Sequence, residues 1–427
     1  MSTFYHGDCL LVMQHDIPAE SVDLIYLDPP FFTGKVQKGS WQPGAMEISF
    51  DDSRRFWSEQ QGDMQQNSPQ WMRHLALERP DFASYTFYMD RRLRECRRVL
   101  KQTGSIYLHC DWRASHYLKM VMDEIFGHKQ FQNEIIWYYR GAGVPKTRFA
   151  RRHDTIYFYS KSSNFRFDPD PARMPYAAAT TERFSHHIGN VRGGRDYGVQ
   201  TLNPKGKHPD DVWNDIQPIA PSAKARTGFP TQKPIELLER IIRTSSVEGD
   251  VVLDPFCGCG TTAIAASGLA REWIGIDIDS SPREKGKFPT AFDVIRNRSH
   301  SLFEEATYIS RDLGEIAEMD GYGFEGWVNE FYRATKPSPD KGIDGIMQDG
   351  TPIQVKTYEI KYPVLSQFIT DARYHPNVPQ PVKRIKAVSQ TGFDDGARRR
   401  KFEIETAEGI EVELVTPAEM LTIAAPS

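Results

Sequence analysis

Two short segments hold the residues whose types and spacing could do chemistry. The first is Leu27-Asp28-Pro29-Pro30-Phe31, near the start of the chain. The second, Leu253-Asp254-Pro255-Phe256-Cys257-Gly258-Cys259-Gly260-Thr261-Thr262, follows more than two hundred residues later. In the first, the Asp28 carboxylate and the Pro29 carbonyl oxygen are acceptors on a backbone that Pro29 and Pro30 stiffen. Two acceptors on the hydrogens of a delocalised amino group would favour a pyramidal nitrogen with an available lone pair, a preorganised electrostatic effect. Phe31 could stack on the ring that bears that group. If the ring is a nucleobase, it is reachable only once turned out of the duplex. In the second segment, Gly258 and Gly260 would let the backbone approach a ligand, and the following helix would offer unpaired N–H groups. Asp277 lies 23 positions after Asp254, at the end of the next apolar run, where a carboxylate suits two ribose hydroxyls. A lone Gly-x-Gly is an ordinary tight turn; between a strand and a helix, with an acid on the next strand, it reads as a cofactor turn. Cys257 and Cys259 fill its variable positions, and no metal is expected there for want of a partner Cys or His pair.

These residues need a scaffold. Val22 to Leu27 reads as a strand that Asp-Pro-Pro stops. Residues 33–80, polar and without sustained period, read as a long surface loop with short helical pieces. Tyr85, Tyr88, Leu93, Cys96, Val99 and Leu100 mark a helix over 84–100 that Gly104 is expected to end, with a buried strand at 105–109. A helix near 115–126 and a strand at 134–139 follow. The aperiodic stretch 168–230 suits a loop-rich recognition segment between two halves of a core. Pro234 opens a helix with Ile235, Leu237, Leu238, Ile241 and Ile242 on its apolar face. Val251–Leu253, Thr261–Leu269 and Trp273–Ile276 then form a strand–helix–strand unit, which implies a parallel, doubly wound α/β sheet.

Length and composition bound the rest. A chain of 427 residues has room for two or three domains. Its 39% hydrophobic and 26% charged content is that of a soluble globular protein. No run is long enough to span a membrane, and the N-terminus lacks a signal-peptide layout, so a cytoplasmic location is expected. Five cysteines require no disulfide. The formal net charge of −4 does not itself predict nucleic-acid binding. Arg91-Arg92, Arg97-Arg98, Arg151-Arg152 and Arg398 to Lys401 are local basic clusters that could supply it.

From about residue 1 to 280 the chain resembles the β-group of DNA amino-methyltransferases, the N4-cytosine/N6-adenine family, in which the catalytic motif precedes the recognition region and the cofactor motif comes last. The resemblance is carried by Gly7-Asp8, Val22 to Phe31, Gly104 to Asp111, Phe131 to Trp137, His153 to Lys161, Thr231-Gln232-Lys233-Pro234 and the glycine turn. It implies a Rossmann-like fold, permuted with its catalytic half first, and S-adenosylmethionine as cofactor. Asp28, Pro29, Pro30 and Phe31 are then catalytic. Asp8, which meets the cofactor's adenine in that family, joins Thr231, Lys233, Pro234, Asp254, Phe256, Gly258, Gly260 and Asp277 around the cofactor. Double-stranded DNA is the implied partner, and the family includes homodimers. Asp at the first catalytic position leans toward adenine N6, with cytosine N4 the alternative; Phe31 stands where Tyr is common.

The domains are expected at 1–300, joined through a polar linker at 279–300, and at 301–427. In the second, Gly342-Ile343-Asp344-Gly345-Ile346 and Pro352-Ile353-Gln354-Val355-Lys356 suggest a hairpin at Asp349-Gly350. A three-residue loop at 349–351 would pair Asp344 with Lys356 on one face with Gln354; a two-residue loop would put them on opposite faces. In the first register Asp344 and Gln354 could hold a divalent metal while Lys356 orients water. This resembles the Mrr-related branch of PD-(D/E)xK nucleases, with Glu325 matching that branch's helix glutamate and residues 412–421 its closing strand and helix. The resemblance implies a smaller α/β nuclease-like domain using Mg2+. Three functions therefore stand: a site-specific DNA methyltransferase, a combined restriction and modification enzyme, and a DNA-binding protein without catalysis. The intact Asp-Pro-Pro-Phe and glycine turn argue against the third.

Overall fold

The computed structural model describes residues 2–422 apart from 42–45, 60–67, 142, 186–188, 200, 221–222, 224, 230, 279–290 and 339–340. The chain forms two compact units, Met1–Ile309 and Ser310–Ser427. Among the described residues no helix is long and apolar enough to cross a membrane.

In chain order the strands of the first unit are β1 (Thr3–His6), β2 (Val22–Leu27), β3 (Lys35–Trp41), β4 (Met46–Asp52), β5 (Leu100–Cys110), β6 (Phe131–Tyr138) and β7 (His153–Ser160). They continue as β8 (Gly189–Arg192), β9 (Arg195–Val199), β10 (Val212–Trp213), β11 (Val251–Asp254), β12 (Glu272–Asp277) and β13 (Thr307–Ser310). Nine of them make one sheet in the order β10-β6-β7-β5-β2-β11-β12-β1-β13. Its centre is parallel, as expected, but β7 runs antiparallel to both β5 and β6, so the sheet is mixed. The reason is the short β6–β7 connection: an antiparallel return needs no crossover helix.

The strand order creates the site. From β2 the chain reaches β5 on one side, whereas from β11 it reaches β12 on the other. β2 and β11 lie side by side, with Leu24 against Val252 and Ile25 against Leu253. Such a switch point opens a crevice at the strands' carboxyl ends. Asp28 follows one of these strands and the glycine turn follows the other. Helices cover both faces. Ile25 and Leu27 share one core cluster with Leu93, Cys96, Leu118 and Val12 from helices Pro80–Val99, Ser115–Phe126 and Cys9–Asp16. Leu24 and Tyr26 share the other with Leu237, Leu238, Ile241 and Ile242 from helix Ile235–Ser245 and with Ala263 and Ala266 from helix Thr261–Gly268.

Several expectations change. Residues 33–80 are more ordered than a surface loop: β3 and β4 pair as a ribbon, helices Arg54–Glu59 and Gln70–Glu78 follow, and Trp57 and Met72 are fully buried. Strict alternation in Met46-Glu47-Ile48-Ser49-Phe50 was the strand signal. Gly104 does not end a helix. The helix stops at Val99, and Gly104 lies inside β5, where an added Cβ would sit 2.9 Å from the Asp23 carbonyl oxygen. Of the linker, 279–290 lies outside the described residues, but Ala291–Arg298 is a helix with Phe292, Val294 and Ile295 buried in the first unit. Segment 168–230 holds helix Ala178–Phe184, the β8–β9 ribbon and β10, which extends the sheet beside β6.

The second unit has strands β14 (Gly345–Ile346), β15 (Pro352–Lys356), β16 (Arg384–Ser389) and β17 (Glu411–Val415), paired in that order. Helix Gly321–Phe331 packs Phe324, Trp327 and Val328 with Ile353 and Val388; helices Tyr362–Tyr374 and Asp395–Glu408 pack Phe368 and Ile404 with Ile385 and Val412. Gly345 pairs with Ile353 and Ile346 with Pro352, so residues 347–351 form the turn, two more than the three-residue loop expected. A shift of two residues preserves the faces, because side chains alternate with period two.

Candidate active site

The DPPF segment leaves β2 at the crevice. The Asp28 carboxylate is largely buried, and its Oδ2 is held by the Lys233 ammonium, which is 9% exposed. Its Oδ1 is buried with no hydrogen-bond partner among the described residues. Buried acceptors are seldom left unpaired, so this oxygen is positioned for something absent from the free protein. Lys233 also sits 5.3 Å from the Phe31 ring centroid. Thr231 takes a positive φ of 64° and Pro234 caps helix Ile235–Ser245, so the turn before that helix delivers Lys233 to Asp28.

Behind Asp28 lies a network that sequence reasoning missed. The His109 ring, fully buried at the end of β5, has Nδ1 2.9 Å from the Tyr26 hydroxyl and 4.0 Å from Asp28 Oδ1. Its Nε2 is 3.2 Å from Asp154 Oδ2, and the Tyr139 hydroxyl donates to Asp154 Oδ1 at 3.1 Å. Burial alone would raise the Asp154 carboxyl, but the His109 hydrogen bond and charge outweigh it and hold it below its usual range. His109 also meets the Phe31 ring at 5.6 Å between centroids. A lone histidine ending the apolar run Ile106-Tyr107-Leu108 was the available signal.

Across the crevice the glycine turn has Gly258 at φ +50° and Gly260 at φ +72°, both left-handed. At Gly260 an added Cβ would lie 2.9 Å from Ile295, and at Gly258 3.0 Å from the Phe229 ring. Close packing by protein therefore explains these glycines as well as approach by a ligand. The Gly258 N–H donates to Asp277 Oδ2 at 2.6 Å, tying the turn to the end of β12. Asp254 is buried; its Oδ1 accepts from the Phe256 N–H at 3.0 Å and its Oδ2 from the Thr262 hydroxyl. Burial pushes its carboxyl up to about 7, against the lowering effect of those two bonds.

One cavity of about 210 Å³ joins both segments, lined by Asp28 to Phe31 on one side and by Asp254, Phe256, Gly258 and Asp277 on the other, with Thr231 and Lys233. Gly260, Pro234 and Asp8 stand outside its lining. Asp8 caps helix Cys9–Asp16 through Leu10 N at 2.7 Å, and both its oxygens receive the Arg92 guanidinium, at 2.7 and 2.6 Å. Arg92 is buried and lies 3.3 Å over the ring of Tyr88, itself a lining residue. Its position on the buried face of helix Pro80–Val99, four residues after Tyr88, was legible in the sequence.

In the second unit, the Asp344 carboxylate accepts from Val355 N at 2.7 Å and lies 3.5 Å from Lys356 Nζ. Gln354 donates to the Gly342 carbonyl at 3.3 Å, and its Oε1 is buried without a hydrogen-bond partner among the described residues. Burial raises the Asp344 carboxyl, and the Glu325 charge adds to that. Glu325 is paired with Lys336 at 2.5 Å. Among the described residues no group of three or more His, Cys, Asp or Glu side chains is arranged to hold a metal.

Residues 22–285 match the family model described as DNA methylase, for enzymes of the N6/N4 type. The type II methyltransferase M.HpaI of Haemophilus parainfluenzae is 34% identical over 237 residues, spanning 55% of this chain and 68% of that protein. The DNA adenine methyltransferase YhdJ of Escherichia coli K12 is 31% identical over 282 residues, spanning 65% of this chain and 79% of that one. Among solved structures, the DNA modification methylase TTHA0409 of Thermus thermophilus, complexed with S-adenosyl-L-methionine, is 20% identical over 73% of this chain and 98% of its own, with a TM-score of 0.41.

Proposed function

The chain belongs to the N6/N4 DNA methylase family, and on that premise we propose that its first unit methylates the exocyclic amino group of a base turned out of double-stranded DNA, with adenine N6 as acceptor. The observation that carries this reading is Asp28 Oδ1, a buried acceptor without a partner in the cavity shared with the glycine turn. S-adenosylmethionine, when bound, supplies an electrophilic methyl group on a cationic sulfur. The cavity fits such a group. Asp254 and Asp277 offer carboxylates, one for the cationic end and one for ribose hydroxyls, and the positive-φ glycines bring backbone N–H groups to its wall.

The protein's part is orientation. Asp28 Oδ1 and the Pro29 carbonyl oxygen take the two amino hydrogens, which turns the nitrogen lone pair toward the incoming methyl carbon. As the new N–C bond forms, one of those protons leaves through its hydrogen bond to Asp28. Lys233 on Oδ2 fixes the carboxylate, while His109, held by Tyr26 and Asp154, buttresses Phe31 against the base. Adenine is favoured by the aspartate at the first catalytic position. Asp28→Ala is expected to lower methyl transfer by about two to three orders of magnitude while cofactor affinity changes little. Unchanged transfer would remove the proposed base pocket. Single-molecule sequencing of DNA from a methylation-deficient host expressing the protein identifies the acceptor: modified adenine at one motif supports the assignment, and modified cytosine reverses it.

For the second unit we propose a nuclease-like site in which Asp344 and Gln354 hold Mg2+ and Lys356 orients water. Its support is the unpaired Gln354 Oε1 on the strand that brings Lys356 to Asp344. Cleavage of unmethylated DNA that needs Mg2+ and vanishes in Lys356→Ala is the expected result. Intact DNA across many unmethylated substrates would sink this reading.

A further inference from the structure

The loop between β6 and β7, residues 139–152, belongs to neither catalytic segment nor to segment 168–230. Because β7 runs antiparallel to β5, and β6 antiparallel to β7, this loop emerges at the edge of the sheet where β2 and β5 end. That is the edge carrying Asp28 and the base pocket. Its sequence, Tyr139-Arg140-Gly141-Ala142-Gly143-Val144-Pro145-Lys146-Thr147-Arg148-Phe149-Ala150-Arg151-Arg152, contains five basic residues and no acidic one. Against a net charge of −4 for the whole chain, this is a strong local excess.

The loop is fastened at its base and apolar at its tip. Tyr139 N donates to the Arg152 carbonyl at 2.9 Å, Arg152 donates to the Gly143 carbonyl at 2.6 Å, and Arg140 N donates to Gln217 Oε1 at 2.9 Å. Arg151 lies 3.4 Å over the ring of Trp112, which follows β5 directly. The Tyr139 hydroxyl reaches Asp154, the partner of His109. Beyond these ties Phe149 is 98% exposed and Val144 92% exposed. A phenylalanine so exposed, flanked by Arg148 and Arg151, has no folded-state reason for its ring. The chemistry it matches is stacked bases between phosphates: cations hold the backbone, and an apolar wedge enters the stack.

We propose that the β6–β7 loop is the element that opens the DNA duplex, with Phe149 entering the base stack where the target base leaves it and Lys146, Arg148 and Arg151 holding the adjacent phosphates. The proposal rests on the methyltransferase reading. It is tested with the full chain and two duplexes bearing the motif found by sequencing, one fully paired and one mismatched opposite the target. Methyl transfer is followed with tritiated S-adenosylmethionine, and base extrusion by the fluorescence of 2-aminopurine at the target position. Phe149→Ala is expected to lower single-turnover methylation of the paired duplex about tenfold or more and to suppress the fluorescence rise. The mismatched duplex, whose base leaves the stack more easily, is expected to be methylated within about threefold of wild type. Wild-type rates on the paired duplex, or an equal loss on both duplexes, would overturn the wedge. Failure of the wild-type protein to methylate either duplex would instead overturn the methyltransferase reading, and this inference with it.

Discussion

Lys233 and Asp28 are 205 positions apart in the chain and form the ion pair at the centre of the site. Both are largely buried, so each is the other's compensation. Lys233→Met is expected to destabilise the protein by about 3 kcal/mol, read from urea denaturation. The double change Lys233→Met with Asp28→Asn should recover most of that stability and none of the methyl transfer. Recovery of neither would mean that Lys233 acts through packing alone. Asp254 gives a pH prediction. Its folded carboxyl lies near 7, above the ordinary carboxylate value, because burial disfavours its charge. Its contribution to stability is therefore full below the unfolded value and is lost as pH rises through about 7. A cationic cofactor prefers the ionised form, so its affinity should rise by up to about tenfold per pH unit below that point and level off above it. Calorimetric titration from acid to neutral pH checks this, and Asp254→Asn should flatten the profile; an equally steep profile in the variant would exclude Asp254 as its source.

The helix Ala291–Arg298 and the turn before helix Thr261–Gly268 constrain one another. Gly260 holds φ +72°, and Ile295 fills the space its side chain would need. Gly260→Ala thus meets both a backbone penalty and an overlap. It is expected to cost about 1–3 kcal/mol and to weaken cofactor binding. Thermal denaturation and equilibrium dialysis read the two effects, and wild-type behaviour in both would show that neither constraint operates. At the same scale, β5 explains why His109 reaches Asp28. Strand pairing brings Leu108 beside Leu27 and His109 beside Ile156, so successive residues of β5 report to both neighbours of the catalytic loop.

At the scale of the molecule, the two compact units each have a core of their own. Methyl transfer draws on residues up to Asp277 and on the helix at 291–298 that closes the glycine turn. A fragment of residues 1–309 is therefore expected to unfold cooperatively and to retain methyl transfer within a few-fold of the whole chain. Lys356→Ala in the full chain should leave methylation unaltered. Loss of methylation in the soluble, folded fragment would show that the second unit contributes to the reaction.

The sequence by itself determined the local chemistry: an acceptor pair on stiff prolines, a glycine turn between strand and helix, and an acid one strand later. It also determined the βαβ unit over 251–277 and the helix at 235–245, because each is set by short-range periodicity and capping. Tertiary structure alone decided which distant groups meet. Lys233 on Asp28, Arg92 on Asp8, and His109 on Asp154 are products of strand order and helix docking, to which no local pattern refers. The antiparallel direction of β7 and the five-residue turn at 347–351 are likewise invisible in composition, since alternation fixes a strand's faces but not its direction or partner. Gly104 shows the limit most plainly. Its type announced a constrained backbone, yet only the packed sheet reveals that the constraint is the carbonyl of Asp23, 81 residues earlier, rather than the end of a helix.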